Sequence, residues 1–186
     1  MAEAVAGDVK NDGHVNVIIT DRPVSCVTMP APSAIGEPGW IIAQPFPNSR
    51  GTFLRPEEED ERLRIAYFRK PETETLYARA WFGPRALGRP GHVHGGAMAA
   101  VLDEAMGAAC WMNGHSVVAA QLSVSFMGML PIGTDTTVEA WIDKIDGRKI
   151  HLRAHMKNPS GQIVTEGQGL FVVLKDEMLK SLNGLR

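Results

Sequence analysis

The sequence has little cysteine and no long apolar run. Only two cysteines occur among 186 residues, and they lie far apart at Cys26 and Cys110. Free thiols in a reducing compartment are therefore favoured, and a disulfide-stabilised small scaffold is excluded. No apolar run approaches the ~18 residues of a membrane-spanning helix. Residues 1–13 carry no basic region followed by an apolar one, so we expect no signal peptide and a cytoplasmic protein.

An excess of charge of one sign is also missing. Lysines and arginines number 19 against 21 aspartates and glutamates, which gives a formal net charge of −2. Nucleic acids and anionic membranes select proteins with a basic excess, so neither is expected as a partner. The hydrophobic content of 44% is that of an ordinary folded domain rather than of a disordered chain.

Composition divides the chain into three segments. These are a partly irregular N-terminal arm, a folded domain and a C-terminal tail, over residues 1–60, 61–176 and 177–186. The arm is identified by residues 21–40, which contain four prolines and two glycines. Its stretch GWIIAQPF is apolar enough to need burial, so we expect Trp40, Ile41 and Ile42 to pack on the domain.

Apolar periodicity predicts one helix with strands on both sides of it. The helix covers residues 95–112, and strands are predicted at 63–70, 75–83, 116–130, 136–145, 148–157 and 162–174. Two strands alternate cleanly and place the following residues on one face each: Val118, Ala120, Leu122, Val124 and Phe126; Ile150, Leu152, Ala154 and Met156. Asp146-Gly147 supplies a tight hairpin turn. A single helix this apolar needs cover on most sides, so the sequence predicts an α+β fold with a long antiparallel sheet wrapped around one central helix.

The predicted helix has one large apolar stripe and one stripe of small residues. At about 100° per residue, the apolar stripe comprises Met98, Val101, Leu102, Ala105, Ala109 and Met112. The small-residue stripe comprises Gly96, Ala100, Asp103, Gly107 and Cys110. Helices rarely hold carboxylates among apolar residues unless the charge has a partner or a function. Asp103 lies in the small-residue stripe, which a ligand can approach, whereas Glu104 points about 100° away. We therefore assign chemistry to Asp103, and a salt bridge or an interface contact to Glu104.

The start of the helix favours binding of an oxyanion. His94 is followed by Gly95 and Gly96, which have no side chains to block approach. The first N–H groups of a helix lack internal partners and carry the positive end of its dipole, so they polarise a carbonyl group well. Asp103 lies about two turns along the same side as Gly96. A carbonyl carbon between the two would suit acyl transfer or hydrolysis.

The stretch GRPGHVHGGAMAAVLDEAMG resembles the hotdog-fold acyl-CoA thioesterases, in particular their phenylacetate-pathway branch. It contains that superfamily's His-Gly-Gly motif, with an acid nine residues after the histidine, at His94 and Asp103. The later strands fit the same family, so the resemblance covers roughly residues 63–174. It implies the hotdog fold, a homodimer or a dimer of dimers (a homotetramer), and active sites at the dimer interface.

The resemblance also implies an enzyme that hydrolyses an acyl-CoA thioester without a cofactor. Asp103 would be the nucleophile or the general base, the Gly95 N–H would polarise the thioester carbonyl, and His94 would hold the loop. Four further residues are implied in substrate binding: Gly96, Ala119, Arg148 and Lys149. The last two would contact the CoA phosphates, although a solvated turn explains them equally well.

Two positions depart from the family pattern. Some relatives carry an asparagine six residues before the histidine, where this chain has Gly88, and a serine or threonine where it has Ala119. The missing hydroxyl leaves a non-catalytic acyl-CoA-binding protein as an alternative. A hotdog hydratase or dehydratase is the other alternative, which the Gly-Gly pair disfavours. Two pairs of histidines, His92 with His94 and His151 with His155, lack cysteines or clustered carboxylates that would complete a ligand set, so no metal site is expected.

Overall fold

The described part of the chain is one antiparallel sheet with a long helix packed on it. The computed structural model describes residues 36–46, 53–54, 61–175 and 177–179. Within these residues the strands are β1 Ile41–Ala43, β2 Leu63–Arg69, β3 Leu76–Phe82, β4 Val117–Phe126, β5 Asp135–Asp146, β6 Lys149–Lys157 and β7 Ile163–Val173, and the helix is α1 Gly95–Met112. A short 3₁₀ turn covers Pro84–Ala86. The predicted α+β fold is confirmed, and the helix has the predicted bounds.

The strand order places β4 at one edge of the sheet. The order is β1-β2-β3-β5-β6-β7-β4, with every neighbouring pair antiparallel. The chain leaves the helix, forms β4 at the far edge and then returns to the middle of the sheet with β5. The helix packs against β3, β4, β5, β6 and β7. It therefore covers five of the seven strands, from β3 to the edge at β4.

Burial along β6 follows the predicted alternation. Its four apolar residues are buried under the helix, namely Ile150, Leu152, Ala154 and Met156, while His151 and Arg153 are exposed. The turn between β5 and β6 differs by one residue from the prediction. Asp146 pairs with Lys149, so the two central residues are Gly147 and Arg148. Gly147 has φ +57°, the left-handed conformation that such a two-residue hairpin loop requires.

The helix and β7 lie side by side with matched spacing. Residues four apart on a helix rise about 6 Å, and residues two apart on a strand advance about 6.6 Å. Three residues of the helix therefore face three of the strand in turn: Met98, Leu102 and Met106 against Thr165, Gly167 and Gly169. A Cβ on Gly167 would lie 3.2 Å from Leu102 Cδ1, and one on Gly169 would lie 3.1 Å from Met106 Sδ. The two glycines thus let the helix approach the sheet closely.

The small-residue stripe of the helix is less open than predicted. Cys110 is fully buried, and burial raises the pKa of its thiol to about 11. A Cβ on Gly107 would lie 3.7 Å from the ring of Phe171 on β7, so this glycine is close to the sheet. The prediction of an open stripe was wrong at this end of the helix, because the sheet covers more than half of the helix circumference. Asp103 and Glu104 lie on the remaining, partly exposed face.

The clean alternation in β4 does not mark a buried face in the described chain. Val118 is 49% exposed, Leu122 37% and Phe126 53%. The pairing of β4 with β7 also shifts register between Ala119 and Gln121, which is a β-bulge. Among the described residues, only one side of β4 has a neighbouring strand, so its apolar residues lie at an open sheet edge.

Part of the N-terminal arm belongs to the sheet. β1 pairs with β2 through Ile41, Ile42 and Ala43. The prediction that Ile41 and Ile42 are buried was wrong, since they are 46% and 69% exposed at the sheet edge. Trp40 is half-buried and packs on Phe68 and Tyr77 at ring-centroid distances of 5.3 and 4.8 Å.

Most of the arm and most of the tail lie outside the described residues. Residues 1–35, which include Cys26, and most of 47–60 lie outside the described residues, as does the tail except for 177–179. The described residues do show that the sheet begins before the predicted boundary at residue 60.

We expect Trp40→Ala to destabilise the fold by about 1–3 kcal/mol, because it removes a large, half-buried aromatic contact. Urea unfolding followed by circular dichroism measures the change. Ile42→Ala is the matched control on the same segment and should change stability by less than about 0.5 kcal/mol, since Ile42 is exposed. Equal stabilities for the two variants would show that Trp40 does not attach the arm to the domain.

Candidate active site

A tight loop sets the start of the helix. The His94 N–H donates to the Ala86 carbonyl at 2.8 Å, and the Gly88 N–H donates to the His92 carbonyl at 2.9 Å. The His92 N–H donates in turn to the Arg89 carbonyl at 2.9 Å. These bonds close the chain on itself, so the loop fixes where the helix begins.

Gly88 has a steric role in this loop. A Cβ at this position would lie 2.8 Å from His94 Cα and 3.2 Å from His94 N. The chain therefore cannot place a side chain here without moving His94. The departure from the family asparagine at Gly88 thus accompanies a close approach of two backbone segments.

His94 is the N-cap of the helix. Its Nδ1 accepts a hydrogen bond from the Gly96 N–H at 2.9 Å. A ring nitrogen that accepts carries no proton, so the neutral imidazole has its proton on Nε2. A Cβ on Gly96 would lie 3.0 Å from Nδ1, which explains the glycine at this position. The predicted substrate-binding residue Gly96 therefore has its N–H occupied by His94.

Gly95 presents the available donor at the helix start. Across the described residues its N–H has no hydrogen-bond acceptor, whereas the neighbouring N–H groups of His94, Gly96 and Ala97 are all paired. A Cβ on Gly95 would lie 3.2 Å from Phe126 Cζ, so the ring of Phe126 stands beside this donor. The arrangement fits an N–H group that polarises a carbonyl oxygen.

A cleft of about 370 Å³ opens at the helix start. Its lining comprises Gly88, Arg89, His92, Val93, His94, Gly95, Met98, Phe126, Gly128, Met129 and Leu130. Neither Arg89 nor His92 was predicted from the sequence to take part in binding. The alternation of His92, Val93 and His94 was the available signal, because residues two apart on an extended segment point the same way.

Asp103 is half-buried on the partly exposed face of the helix. Its Oδ1 is buried and has no hydrogen-bond partner in the described part of the chain. Desolvation by burial raises the pKa of this carboxyl above its ordinary value. A buried carboxylate oxygen without a partner is rare in a folded protein, so a ligand, water or second chain would satisfy it. Glu104 differs, since it already makes an interaction.

One chain does not bring Asp103 to the helix start. Asp103 follows Gly95 by eight positions, which correspond to about 12 Å along the helix axis. An oxyanion donor must lie within about 3 Å of the reacting oxygen, and the base must be close enough to reach the carbonyl carbon through one water molecule. The expected placement of one carbonyl between the two groups of a single helix is therefore wrong.

The other predicted binding residues do not line the cleft. Ala119 is exposed beside the bulge of β4. The Arg148 guanidinium donates to the Val173 carbonyl at 2.9 and 3.2 Å, and Lys149 is exposed. Among the described residues, no three His, Cys, Asp or Glu side chains are grouped to hold a metal ion. Nor is any helix in that part of the chain long and apolar enough to cross a membrane.

Comparison with known proteins identifies relatives of this chain. Residues 90–165 match the family model of the Thioesterase superfamily. Acyl-coenzyme A thioesterase THEM4 of Bos taurus is 33% identical over 126 residues, which are 67% of this chain and 52% of that protein. THEM5 of Mus musculus is 27% identical over 96 residues, 51% of this chain and 39% of that protein. The chain thus spans about half or less of these relatives.

Solved structures show the same fold. A crystal structure of a thioesterase superfamily protein is 29% identical, with a TM-score of 0.55, and the match covers 58% of this chain and 53% of that one. The PaaI protein of the E. coli phenylacetic acid degradation operon is 17% identical with a TM-score of 0.55, covering 61% of this chain and 80% of that one. Residues 90–165, which contain the His-Gly-Gly motif and the helix, therefore match the thioesterase superfamily, and the domain has the hotdog fold.

Proposed function

We propose that the protein hydrolyses an acyl-CoA thioester to a free acid and CoA. The observation that carries the proposal is the Gly95 N–H, which has no acceptor in the described chain and borders a cleft at a capped helix start. Such a donor stabilises the negative charge that develops on a thioester carbonyl oxygen. The related THEM4 and THEM5 proteins are named acyl-coenzyme A thioesterases, which supports this substrate class.

Asp103 acts as the base or the nucleophile in this proposal. As a base it takes a proton from water, whose oxygen attacks the carbonyl carbon. The C–S bond then breaks, and the proton passes from Asp103 to the departing thiolate, which releases CoA. Its raised pKa makes the carboxylate a stronger proton acceptor than an exposed aspartate. Because about 12 Å separates it from Gly95 on the same helix, each site combines Gly95 of one chain with Asp103 of a second copy.

The second copy binds along β4 in this proposal. In the part of the chain that the structure describes, β4 is a ten-residue edge strand with unpaired backbone groups and exposed apolar side chains. Such an edge invites pairing with another strand, and a two-fold axis would join two copies of β4. It would also bring Phe126, which stands beside Gly95, to the interface. A homodimer is therefore the minimal active unit, and a dimer of dimers is a further assembly of it.

Leu122→Lys should disrupt the dimer and reduce turnover together, because it introduces a charge into the proposed interface. Analytical ultracentrifugation and an acyl-CoA hydrolysis assay measure the two effects. Gln168→Lys, on the exposed face of β7, is the matched control and should change neither. A Leu122→Lys protein that remains a fully active dimer would contradict the assignment of this edge.

The proposal also includes contacts with the CoA phosphates, the bounds of the catalytic domain and the cellular location. Contact of Arg148 and Lys149 with the CoA phosphates would require Arg148 to leave the Val173 carbonyl. Residues 61–176 are proposed as the catalytic domain, extended by β1. A cytoplasmic location rests on the sequence composition alone.

A non-catalytic acyl-CoA-binding protein is the second candidate function. Ala119 favours it, because this position has no hydroxyl to orient water or the acid. A panel of acyl-CoA substrates with aliphatic chains of increasing length and with aromatic acyl groups decides between the two. Release of free thiol supports hydrolysis, whereas binding without thiol release supports the second candidate. Formation of a hydrated or dehydrated acyl-CoA would instead identify a hydratase or dehydratase.

A further inference from the structure

His92 and His94 form a pair with opposite hydrogen-bonding roles on the same side of the cleft. Val93 between them is buried, and its segment is extended, with bridges from Leu87 to Val93 and from His92 to Pro131. Residues two apart on an extended segment lie about 6.6 Å apart and point the same way. Both histidines line the cleft beside Gly95.

The hydrogen bonds of the two rings assign their protons. His92 Nδ1 lies 2.9 Å from the Pro90 carbonyl oxygen, which can only accept, so Nδ1 carries the proton. The Nε2 of neutral His92 is therefore an acceptor. His94 Nδ1 accepts from the Gly96 N–H, so its Nε2 carries the proton and is a donor. The two histidines that line the cleft thus carry one acceptor, His92 Nε2, and one donor, His94 Nε2–H.

We propose that this pair binds the amide group of the pantetheine arm next to the thioester, an inference that rests on the proposed function. A trans amide holds its N–H and C=O in one plane, where they point in opposite directions. With a hydrogen bond of about 2.9 Å at each end and about 2.3 Å between its nitrogen and oxygen, the amide needs partner atoms about 8 Å apart. Two side chains that start about 6.6 Å apart reach this separation when their ring tips diverge slightly. His92 Nε2 accepts the amide N–H, and His94 Nε2–H donates to the amide oxygen.

The position of the pair also fits the chemistry of the arm. In a pantetheine thioester only two methylene groups separate the sulfur from the first amide nitrogen. His94 is the neighbour of Gly95, whose N–H is assigned to the thioester carbonyl. The pair recognises the arm and not the nucleotide, so the same site would accept a CoA thioester or an acyl group on the pantetheine of a carrier protein.

Two small substrates isolate the contact with His92. One is an acyl thioester of N-acetylcysteamine, and the other is its oxygen analogue, in which an ester oxygen replaces the amide N–H. We expect the wild-type enzyme to prefer the amide by about 5- to 10-fold in kcat/KM, the size expected for one hydrogen bond. Comparing two substrates on the same variant cancels any loss of folded protein.

Two substitutions of His92 separate binding from loop structure. His92→Asn retains a donor where Nδ1 meets Pro90 but removes the acceptor in the cleft, so the amide preference should fall to about 1. His92→Gln loses the Pro90 bond but places an oxygen near Nε2, so it should keep most of the preference. The opposite order, or no amide preference in the wild type, would overturn the proposal.

Further measurements distinguish this inference from the proposed function. Calorimetry with the matching thioethers, which cannot be hydrolysed, measures the amide preference without turnover. An amide preference in binding without hydrolysis would support the role of the histidine pair and reject the proposed hydrolysis. Hydrolysis without an amide preference would support the proposed function and reject the role of the pair. Parallel rates with an acyl-CoA and with an acyl carrier protein identify which source supplies the arm.

Discussion

Replacing Asp103 with asparagine should lower acyl-CoA hydrolysis by about 10²-fold or more, the loss typical of a positioned base or nucleophile. Asparagine keeps the size of the side chain but cannot take a proton from water or attack the carbonyl. Steady-state thiol release measures the effect. Glu104→Gln is the matched control, since it removes the adjacent carboxylate of the same helix. It should cost stability more than turnover, and the reverse pattern would exchange the roles of the two carboxylates.

Asp103→Asn should raise the stability of the folded protein although it lowers turnover. Burial raises the pKa of Asp103 in the folded state, so the folded protein favours the neutral carboxyl. Its contribution to stability is fully present below the unfolded pKa and is lost as pH rises through the folded pKa. At neutral pH, Asp103→Asn removes this cost, and we expect unfolding at a higher urea concentration than in the wild type.

The pH dependence of turnover follows from the same shift. Catalysis needs the ionised carboxylate, so the rate should rise with pH through a pKa above that of an exposed aspartate. An acid limb at the ordinary aspartate pKa would show that the active assembly relieves the burial of Asp103.

Replacing Gly95 with proline should lower turnover by about 10²–10³-fold, because it removes the N–H assigned to the thioester oxygen. The backbone suits this change. Proline is favoured at the first position of a helix, and His94 has φ −65° and ψ 132°, which a residue before proline adopts readily. Gly95→Ala is the matched control, because it adds a Cβ near Phe126 but keeps the N–H. Equal losses in the two variants would assign the effect to crowding by the side chain.

Mixing the two inactive variants tests whether a site spans two chains. Coexpression of Asp103→Asn and Gly95→Pro chains gives half of the dimers as heterodimers. Each heterodimer has one site with both defects and one site with none, so about one quarter of wild-type activity should return. If both residues of a site came from one chain, no intact site would form, and activity would stay at the level of the single variants.

Local sequence patterns predicted the elements of this fold well. The helix at 95–112 follows directly from its start at His94-Gly95-Gly96 and its apolar composition, and β6 follows from its strict alternation. The position of β4 at the sheet edge could not be predicted in this way. Alternation reports that one face of a strand is apolar, but not whether that face meets the helix or remains open at the edge of one chain.

The candidate site was predicted less completely than the fold. A helical projection places Gly96 and Asp103 on one side but hides the rise along the axis, which separates Gly95 from Asp103. The roles of the two cleft histidines depend on their hydrogen bonds, which His92 makes to the Pro90 carbonyl and His94 receives from the Gly96 N–H. Residue spacing alone contains no such information. Likewise, only the fold shows that Gly88 lies against His94.

The matched spacing of the helix and β7 determines which parts of the site can vary independently. Contacts at Gly167 and Gly169 hold the helix in register with the sheet, so a small lateral slide would lose all of them at once. An inserted or deleted residue in the loop at 88–92 would therefore change the hydrogen bonds at the helix start but leave Asp103 in place. The proposed base or nucleophile is anchored by the core, whereas the residues proposed to contact the substrate arm lie in the loop. Changes in this loop can thus alter contacts with the substrate without displacing Asp103.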